Sequence, residues 1–399
     1  MGTSGAGTLT LGQVAARAGV SSATVRRWVK EGLIPQHDGR WSPAAATQAR
    51  IIARLRERGY SLEQIREASE SGRLALGDVE EYLSSGAGGR HTLRQTARAT
   101  GLAPELIERL VVNLGLSALS VDALTDEDVE MLKYVATMLN AGLPEEAFTQ
   151  IARVWGQALA QIAETEVRLF HMYIHEPLMR EGVPERQLAE QMDGMAREMV
   201  PFIAPLMTWM HGRFLAYFVE QDVIGHMEAD LGMQPQLGRL RVTIAFADLA
   251  GYTRLTEEEG DEHAVNAVER FVEEVERTLP IDARVLKTLG DEVMVVGPDP
   301  VALTQWAVGF QSHAPAGVPP PRIGISHGEA IYRDGDYYGR EVNQAARVVA
   351  RAAGGEVMVT RAVVDHAEGV DGLAFKLIGE VGLKGFSEPT ELFLASARG

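Results

Sequence analysis

Over most of its first 230 residues the chain places apolar side chains at helical spacing, three and four apart. Leu11, Val14 and Ala15 share one face of a short helix that Gly19 ends, and Ser21 or Ser22 can cap the next. That second helix turns Val25, Trp28 and Val29 inward and Arg26, Arg27 and Lys30 outward. The stretch LIPQHDGRWS holds an Asp-Gly pair, which predicts a small hairpin. Helical spacing resumes through Ala49, Ile52 and Leu55, and GYSLEQIREA predicts one more short helix. From Pro144 to Leu231 the pattern is helical almost throughout, with a break near Pro177 to Pro184. Ile151, Val154, Trp155, Leu159, Ile162 and Val167 trace one apolar stripe, and Met192, Met195, Met199, Ile203 and Met207 another. The most membrane-like stretch, Met199 to Val219, is interrupted by Pro201, Pro205, His211 and Arg213. A span needs about 20 nearly unbroken apolar residues, so a buried helix pair is expected here instead.

After LGMQPQLGRL the period changes. VTIAFADLAG reads as a short apolar strand ending in an acid and a tight turn, followed by a helix from about Glu262 to Leu279. ARVLKTLGDEVMVVG predicts a hairpin, residues 299 to 312 a helix, RIGISHGEAIY a strand and residues 340 to 353 a helix. EVMVT, LAFKLIGEV and ELFLAS complete the strands. Strands alternating with helices, with hairpins between neighbours, predict a ferredoxin-like α+β sheet.

A shift of 82 to 83 residues exposes an internal repeat. TLGQVAARAGVSSATVRRWVKEGL aligns with TLRQTARATGLAPELIERLVVNLGL, and WSPAAATQARIIARLRERGYS aligns with LTDEDVEMLKYVATMLNAGLP. Apolar positions, the Gly19/Gly101 turn and the Gly59/Gly142 helix end all correspond.

Length, cysteine content, the N-terminal stretch and charge each change this picture. At 399 residues the chain is too long for one core, so several domains are expected. The absence of cysteine excludes disulfides, thiolate metal sites and cysteine nucleophiles. MGTSGAGTLT has neither a basic start nor an apolar run, so no secretory signal is expected, and the reading is a cytoplasmic protein with no membrane partner. The net charge of −17 argues against nucleic-acid binding by the chain as a whole, but the charge is uneven. Residues 10 to 68 carry ten Lys or Arg against five Asp or Glu, whereas residues 92 to 151 carry four against nine. In the second copy Glu105 and Glu108 lie on the helix that matches Arg26 and Arg27, and would repel phosphate. The second copy is therefore expected to keep the fold without DNA chemistry.

The last third carries the candidate chemistry. Asp248 ends a buried strand and Asp291 sits at a hairpin turn, and carboxylates so placed are natural ligands for Mg²⁺ or Mn²⁺. The turn containing Gly251, Tyr252 and Thr253 leads into a helix whose free backbone N–H groups could hold a polyphosphate. Two metals could then serve an in-line displacement. Asn343 and Arg347 stand four apart on one helix face, where the arginine could stabilise charge developing on phosphorus. Taken singly, each of these residues also fits a capped turn or a surface charge. His171 and His175, also four apart, admit three readings: a metal pair, a proton sensor, or ordinary packing.

Three resemblances extend these readings. LGQVAARAGVSSATVRRWVKEGL, the wing with Arg40, and LRERGYSLEQI resemble the MerR family of winged-helix DNA-binding domains, without that family's long dimerisation helix. The resemblance implies Arg26, Arg27, Lys30 and Arg40 as DNA contacts, mainly to phosphates; a solvated basic face on an interaction module is the other reading. Residues 92 to 230, above all GLPEEAFTQIARVWGQALAQIAETEVRLFHMYIHEPL, resemble the regulatory domain of actinobacterial soluble adenylyl cyclases, which implies autoinhibition and a response to pH. FADLAGYT, LKTLGDE, GDYYGREVNQAAR and LKGFSEPTELF resemble the class III nucleotide cyclase catalytic domain.

That last resemblance implies an adenylyl cyclase that converts ATP to 3′,5′-cyclic AMP and pyrophosphate. Asp248 and Asp291 would bind two Mg²⁺ or Mn²⁺ ions per site, and Lys287 and Asp336 would read the adenine edge. Asn343 would orient the ribose, Arg347 would stabilise the transition state, and Lys384 would contact the triphosphate. The site would be shared across a homodimer. The domains expected are 1–72, MerR-like; 73–91, a linker; 92–232, helical and regulatory, with the second MerR-like unit at 92–151; and 240–399, catalytic. The alternative is a MerR-like transcription regulator that uses the cyclase-like domain as a nucleotide sensor.

Overall fold

Thr10 starts the first helix, α1 (Leu11–Ala18): its side-chain oxygen accepts a hydrogen bond from the Gln13 N–H, and its own N–H donates to the Gln13 side-chain oxygen. This reciprocal cap satisfies two backbone donors that the first turn leaves without partners. Gly19 closes the helix with φ 68°, a left-handed conformation that favours glycine. Helices α2 (Ser22–Lys30), α3 (Pro43–Glu57) and α4 (Leu62–Glu70) follow. Val14, Val25, Trp28, Ile34, Ile52 and Ile65 fill the core between them. The computed structural model describes residues 9–34, 41, 43–70, 90–115, 121, 124–183, 185–230, 239–312 and 318–398. The predicted hairpin tip, including Arg40, and most of the predicted linker lie outside the described residues.

The repeat read from the sequence is a repeat in three dimensions. After β1 (Arg90–His91), α5 (Leu93–Thr100) begins with the same Thr92/Gln95 cap and ends at Gly101 with φ 75°. Helix α6 (Pro104–Asn113), β2 (Leu124–Thr125) and α7 (Asp126–Asn140) continue the correspondence. Leu9 bridges Trp41 in the first copy, and the equivalent pair, His91 and Leu124, is joined between β1 and β2. Val25 and Trp28 become Ile107 and Leu110, all buried. The fourth helix of the second copy becomes the start of α8 (Glu145–Phe170), whose Phe148 is buried as its counterpart Ile65 is.

A π-helical turn (His171–His175) and the short α9 (Glu176–Arg180) mark the predicted break. The expected buried helix pair is instead a single helix, α10 (Glu185–Asp230), with Pro201 and Pro205 inside it and with His211 and His226 both along it. Only its early part is buried, at Leu188, Met192 and Ala196, while Phe202, Trp209 and Phe214 are more than 60% exposed. The stripe on α8 is exposed too, from Ile151 and Trp155 through Leu159 and Ile162 to Val167. Of the stripe predicted on α10, Met192 is buried, Met195, Ile203 and Met207 are half-buried and Met199 is exposed.

The chain divides into two units after Val223. The second unit is built on β3 (Arg239–Leu249), followed by α11 (Tyr252–Glu259), α12 (Asp261–Thr278), β4 (Arg284–Leu289), β5 (Glu292–Gly297) and α13 (Pro300–Ser312). Then come β6 (Pro321–Arg333), β7 (Asp336–Tyr338), α14 (Arg340–Val349), β8 (Val357–Thr360), α15 (Arg361–Ala367), β9 (Leu373–Val381) and β10 (Thr390–Ala397). The sheet order is β4-β5-β3-β6-β8-β10-β9, with β7 pairing β6 and only β6–β8 parallel. The first four strands in this order carry the ferredoxin-like connectivity expected from the sequence. One face of the sheet holds a large core in which Phe271 of α12, Leu303 and Phe310 of α13 and Val364 of α15 pack on Ala245, Val295 and Ile325. The other face, through Ile244, Phe246 and Met294, receives one helix among the described residues, α14, with the residues around β7 and the 383–386 turn beside it.

Candidate active site

Strand register assembles one end of the site. Asp248, next to last in β3, stands opposite Glu292 of β5 and Arg322 of β6, so all three side chains leave the sheet on the thinly covered face. Arg322 donates to Asp248 Oδ2 from Nε at 2.9 Å and from its terminal nitrogen at 2.5 Å. Asp291 lies in the two-residue turn between β4 and β5, where Gly290 takes φ 67°. The Leu249 N–H donates to the Asp291 carbonyl at 3.4 Å, tying this turn to the end of β3. Burial, then the negative charge of Asp248, raises the Asp291 carboxyl above the usual range. Glu292 is raised for the same reasons, first by burial and then by Asp248 and Asp291. Three carboxylates with one guanidinium among them make a site short of positive charge. That deficit fits a hard divalent cation, and the arginine on Asp248 sits where such charge is wanted. Among the described residues no group of three or more His, Cys, Asp or Glu is so placed that it could hold a metal ion by itself. Water and phosphate oxygens would have to finish the shell, as Mg²⁺ commonly requires.

The polyphosphate turn is less uniform than its sequence suggested. Gly251 (φ 89°) precedes α11, whose first N–H groups have no side-chain cap. Thr253 is exposed, but the Tyr252 ring packs into the core beneath the helices, leaving only its backbone for a ligand.

Lys287 of β4 and Asp336 of β7 are brought into an ion pair although 49 residues separate them. Asp336 Oδ1 also accepts the Tyr337 N–H at 2.9 Å. Both side chains are partly exposed, at 36% and 25%.

Asn343 and Arg347 are exposed on α14, while Gln344, Ala345, Val348 and Val349 bury the opposite side against the sheet. Two features set how this helix sits. Gly324 lets the Val349 backbone approach β6 closely, and Ser326 Oγ meets Glu341 Oε2 at 2.5 Å beneath the helix. Lys384 is exposed in the turn between β9 and β10.

The sequence reading missed Arg322 and Glu292. An arginine near the start of the otherwise apolar RIGIS strand was the available signal, but only register aligns it with Asp248.

In the first unit Arg26, Arg27 and Lys30 are exposed together on α2, with Arg27 also pairing Glu31 at 2.9 Å. Their counterparts in the second copy are Glu108, Arg109 and the 63%-exposed Val112, and Arg109 pairs with Glu145. His171 and His175 meet through their Nδ1 atoms at 3.1 Å within the π turn, and His175 is buried. No described helix is long and apolar enough to cross a membrane.

The family described as "Adenylate cyclase regulatory domain" matches residues 31–214, and "MerR family regulatory protein" matches residues 10–40. The first of these matches runs across the boundary expected between residues 72 and 92. An adenylate cyclase of Streptomyces coelicolor is 31% identical over 72% of this chain and 74% of its own length. A pH-sensitive adenylate cyclase of Mycobacterium tuberculosis is 27% identical over 88% of both. Among solved structures, the adenylyl cyclase CyaB from P. aeruginosa covers 40% of this chain and 96% of its own, at 23% identity and a TM-score of 0.37.

Proposed function

This chain belongs to the class III adenylate cyclase family, in the group that carries an adenylate cyclase regulatory domain, and on that premise we propose how its residues turn ATP into 3′,5′-cyclic AMP and pyrophosphate. Asp248 and Asp291 would hold the two Mg²⁺ or Mn²⁺ ions of each site. When bound, these lower the cost of forming the ribose 3′-alkoxide and neutralise the triphosphate. Lys287 donates to a purine ring nitrogen and Asp336 accepts from the exocyclic amine, a pattern that suits adenine and not the O6/N2 edge of guanine. Asn343 holds the ribose so that O3′ faces the α-phosphorus. As the O3′–P bond forms and the bond to the pyrophosphate oxygen breaks, Arg347 stabilises the charge on the phosphoryl oxygens. The first N–H groups of α11 and the Lys384 ammonium bind the leaving pyrophosphate.

A single observation supports this assignment most directly. The carboxylate cluster and the Lys287–Asp336 pair open onto the face of the sheet that carries one helix, while the opposite face carries three. Such a face needs a cover, and a second copy would supply one, making a homodimer with two equivalent sites. Asp248 and Asp291 would come from one subunit and Lys287, Asp336, Asn343 and Arg347 from the other. The long apolar stripes left exposed on α8 and α10 also favour association, because monomers rarely expose so much apolar surface. The test is to mix Asp248→Ala and Arg347→Ala proteins, each inactive alone. Cyclic AMP formation returning towards a quarter of the wild-type rate supports the shared site. No recovery, with heterodimers demonstrated, would sink it.

The regulatory half restrains or releases this pairing. For the first unit, exposed Arg26, Arg27 and Lys30 support DNA binding, with Arg40 as a further contact. Duplex binding that is insensitive to salt and to Arg26→Ala/Arg27→Ala would rule this out. The regulator-only alternative gains nothing, since every metal and transition-state position of an active cyclase is retained.

A further inference from the structure

We propose that Arg340, which opens α14, and Arg351, two residues past its end, are positioning residues that clamp the turn bearing Lys384 alongside Arg347. The proposal rests on Lys384 contacting the triphosphate, as read above.

Residues 383–386 form a tight turn in which the Phe386 N–H donates to the Leu383 carbonyl at 3.1 Å. Gly385 at its third position takes φ 90°, as a type II turn requires, which leaves Lys384 at the apex. The turn is held on both flanks. On one side Arg351 donates from its terminal nitrogen to the Gly382 carbonyl at 2.9 Å. On the other, the Arg340 guanidinium lies 5.3 Å from the centre of the Phe386 ring. Leu383, 3% exposed, anchors the middle in a core with Val348, Ala352 and Leu392. Lys384 itself is exposed.

Arg340, Asn343, Arg347 and Arg351 follow one another at i, i+3, i+7 and i+11, so they share one face of the helix and its continuation. The two outer arginines hold the turn, and the two inner residues are those assigned to the ribose and the transition state. Lys384 brought against such a face meets like charge and would swing away if only its own backbone held it. The hydrogen bond at Gly382 and the cation–π contact at Phe386 oppose that drift. The result is a set of cations fixed in place before an anion arrives, the arrangement that is most effective at stabilising a polyphosphate.

The experiment is a double-mutant cycle in the full-length protein with Mn²⁺. It reads KM for ATP, kcat, and inhibition of the reaction by inorganic pyrophosphate. Arg351→Ala and Arg340→Ala are each expected to raise KM and to weaken pyrophosphate inhibition by about tenfold, with kcat changed less. In a Lys384→Ala background the same substitutions should add less than twofold, because the residue they position is gone. Arg351→Lys, which can still reach the Gly382 carbonyl, should recover most of the loss; it also tests the contact should Arg351→Ala fail to fold. Full additivity with Lys384→Ala, or arginine variants without effect while Lys384→Ala is impaired, overturns the clamp alone. If Lys384→Ala leaves KM and pyrophosphate inhibition unchanged, the triphosphate role of Lys384 falls and takes the clamp with it.

Discussion

Replacing Gly324 by alanine should disable the enzyme without touching a residue that meets substrate. Gly324 lies in β6 directly beneath the C-terminal end of α14. A Cβ there would stand 2.2 Å from the Val349 nitrogen, 2.6 Å from its Cα and 2.9 Å from the Val348 carbonyl carbon. All three are backbone atoms, so no side chain can rotate away. Ordinary carbon contacts begin near 3.5 Å, so the helix or the strand must give by about 1 Å. Arg347 is two residues from the collision and Asn343 is one turn earlier, so a helix moving as a rigid body carries both away from the reacting phosphorus. A displacement of about 1 Å in such groups costs on the order of a hundredfold in rate. The Lys287–Asp336 pair sits outside the helix, so ATP affinity should suffer less. The assay is the initial rate of cyclic AMP formation at saturating ATP with Mn²⁺, alongside thermal unfolding to confirm a folded protein. Gly309→Ala is the control, because a Cβ at that position of α13 meets nothing within 4 Å. A Gly324→Ala protein with wild-type kcat would refute the idea that this close approach sets the position of α14.

Further predictions follow from buried polar groups. His327 is 7% exposed, and burial, then the neighbouring His366 and Arg241 charges, lowers its pKa to about 4 from an ordinary 6.5. The unfolded chain therefore takes up a proton that the native state refuses. The stabilising contribution is complete above pH 6.5 and is lost as the pH falls towards 4, by about 3 kcal/mol. In urea denaturation between pH 7 and pH 4.5, wild type should lose about 2 kcal/mol more than His327→Gln, and parallel losses would contradict the assignment. Thr96 occupies in the second repeat the place that Val14 fills in the first, both fully buried, and its hydroxyl has no hydrogen-bond partner. Thr96→Val should raise stability by about 1 kcal/mol, read as a higher urea midpoint, while Val14→Thr should cost at least as much. An unchanged or lower midpoint for Thr96→Val would mean that the hydroxyl is satisfied in solution.

The repeat was legible because its signals are local. Thr10/Gln13 and Thr92/Gln95 cap their helices by contacts within four residues, and Gly19 and Gly101 end them through φ values that glycine adopts freely. Asp248 and Asp291 could be found for the same reason, one at a strand end and the other in a two-residue turn. The exposed stripe on α8 was visible as periodicity too, and what periodicity could not say was whether anything in the same chain would cover it. Pro201 and Pro205, which interrupt the apolar run from Met199 to Val219, are carried within one helix.

What the amino-acid order determined unaided is therefore most of the elements, though not β7, α15 or the single long α10, together with the repeat and the identity of most charged groups in the site. Tertiary structure alone decided which of those groups meet. Arg322 joins Asp248, Glu292 joins the cluster, and Lys287 finds Asp336 across 49 residues, all through strand order and register. Helix and turn propensities act over a few residues, where side chain and backbone compete directly. Register and the covering of a face are settled by burial summed over the whole sheet, which no short window of sequence contains.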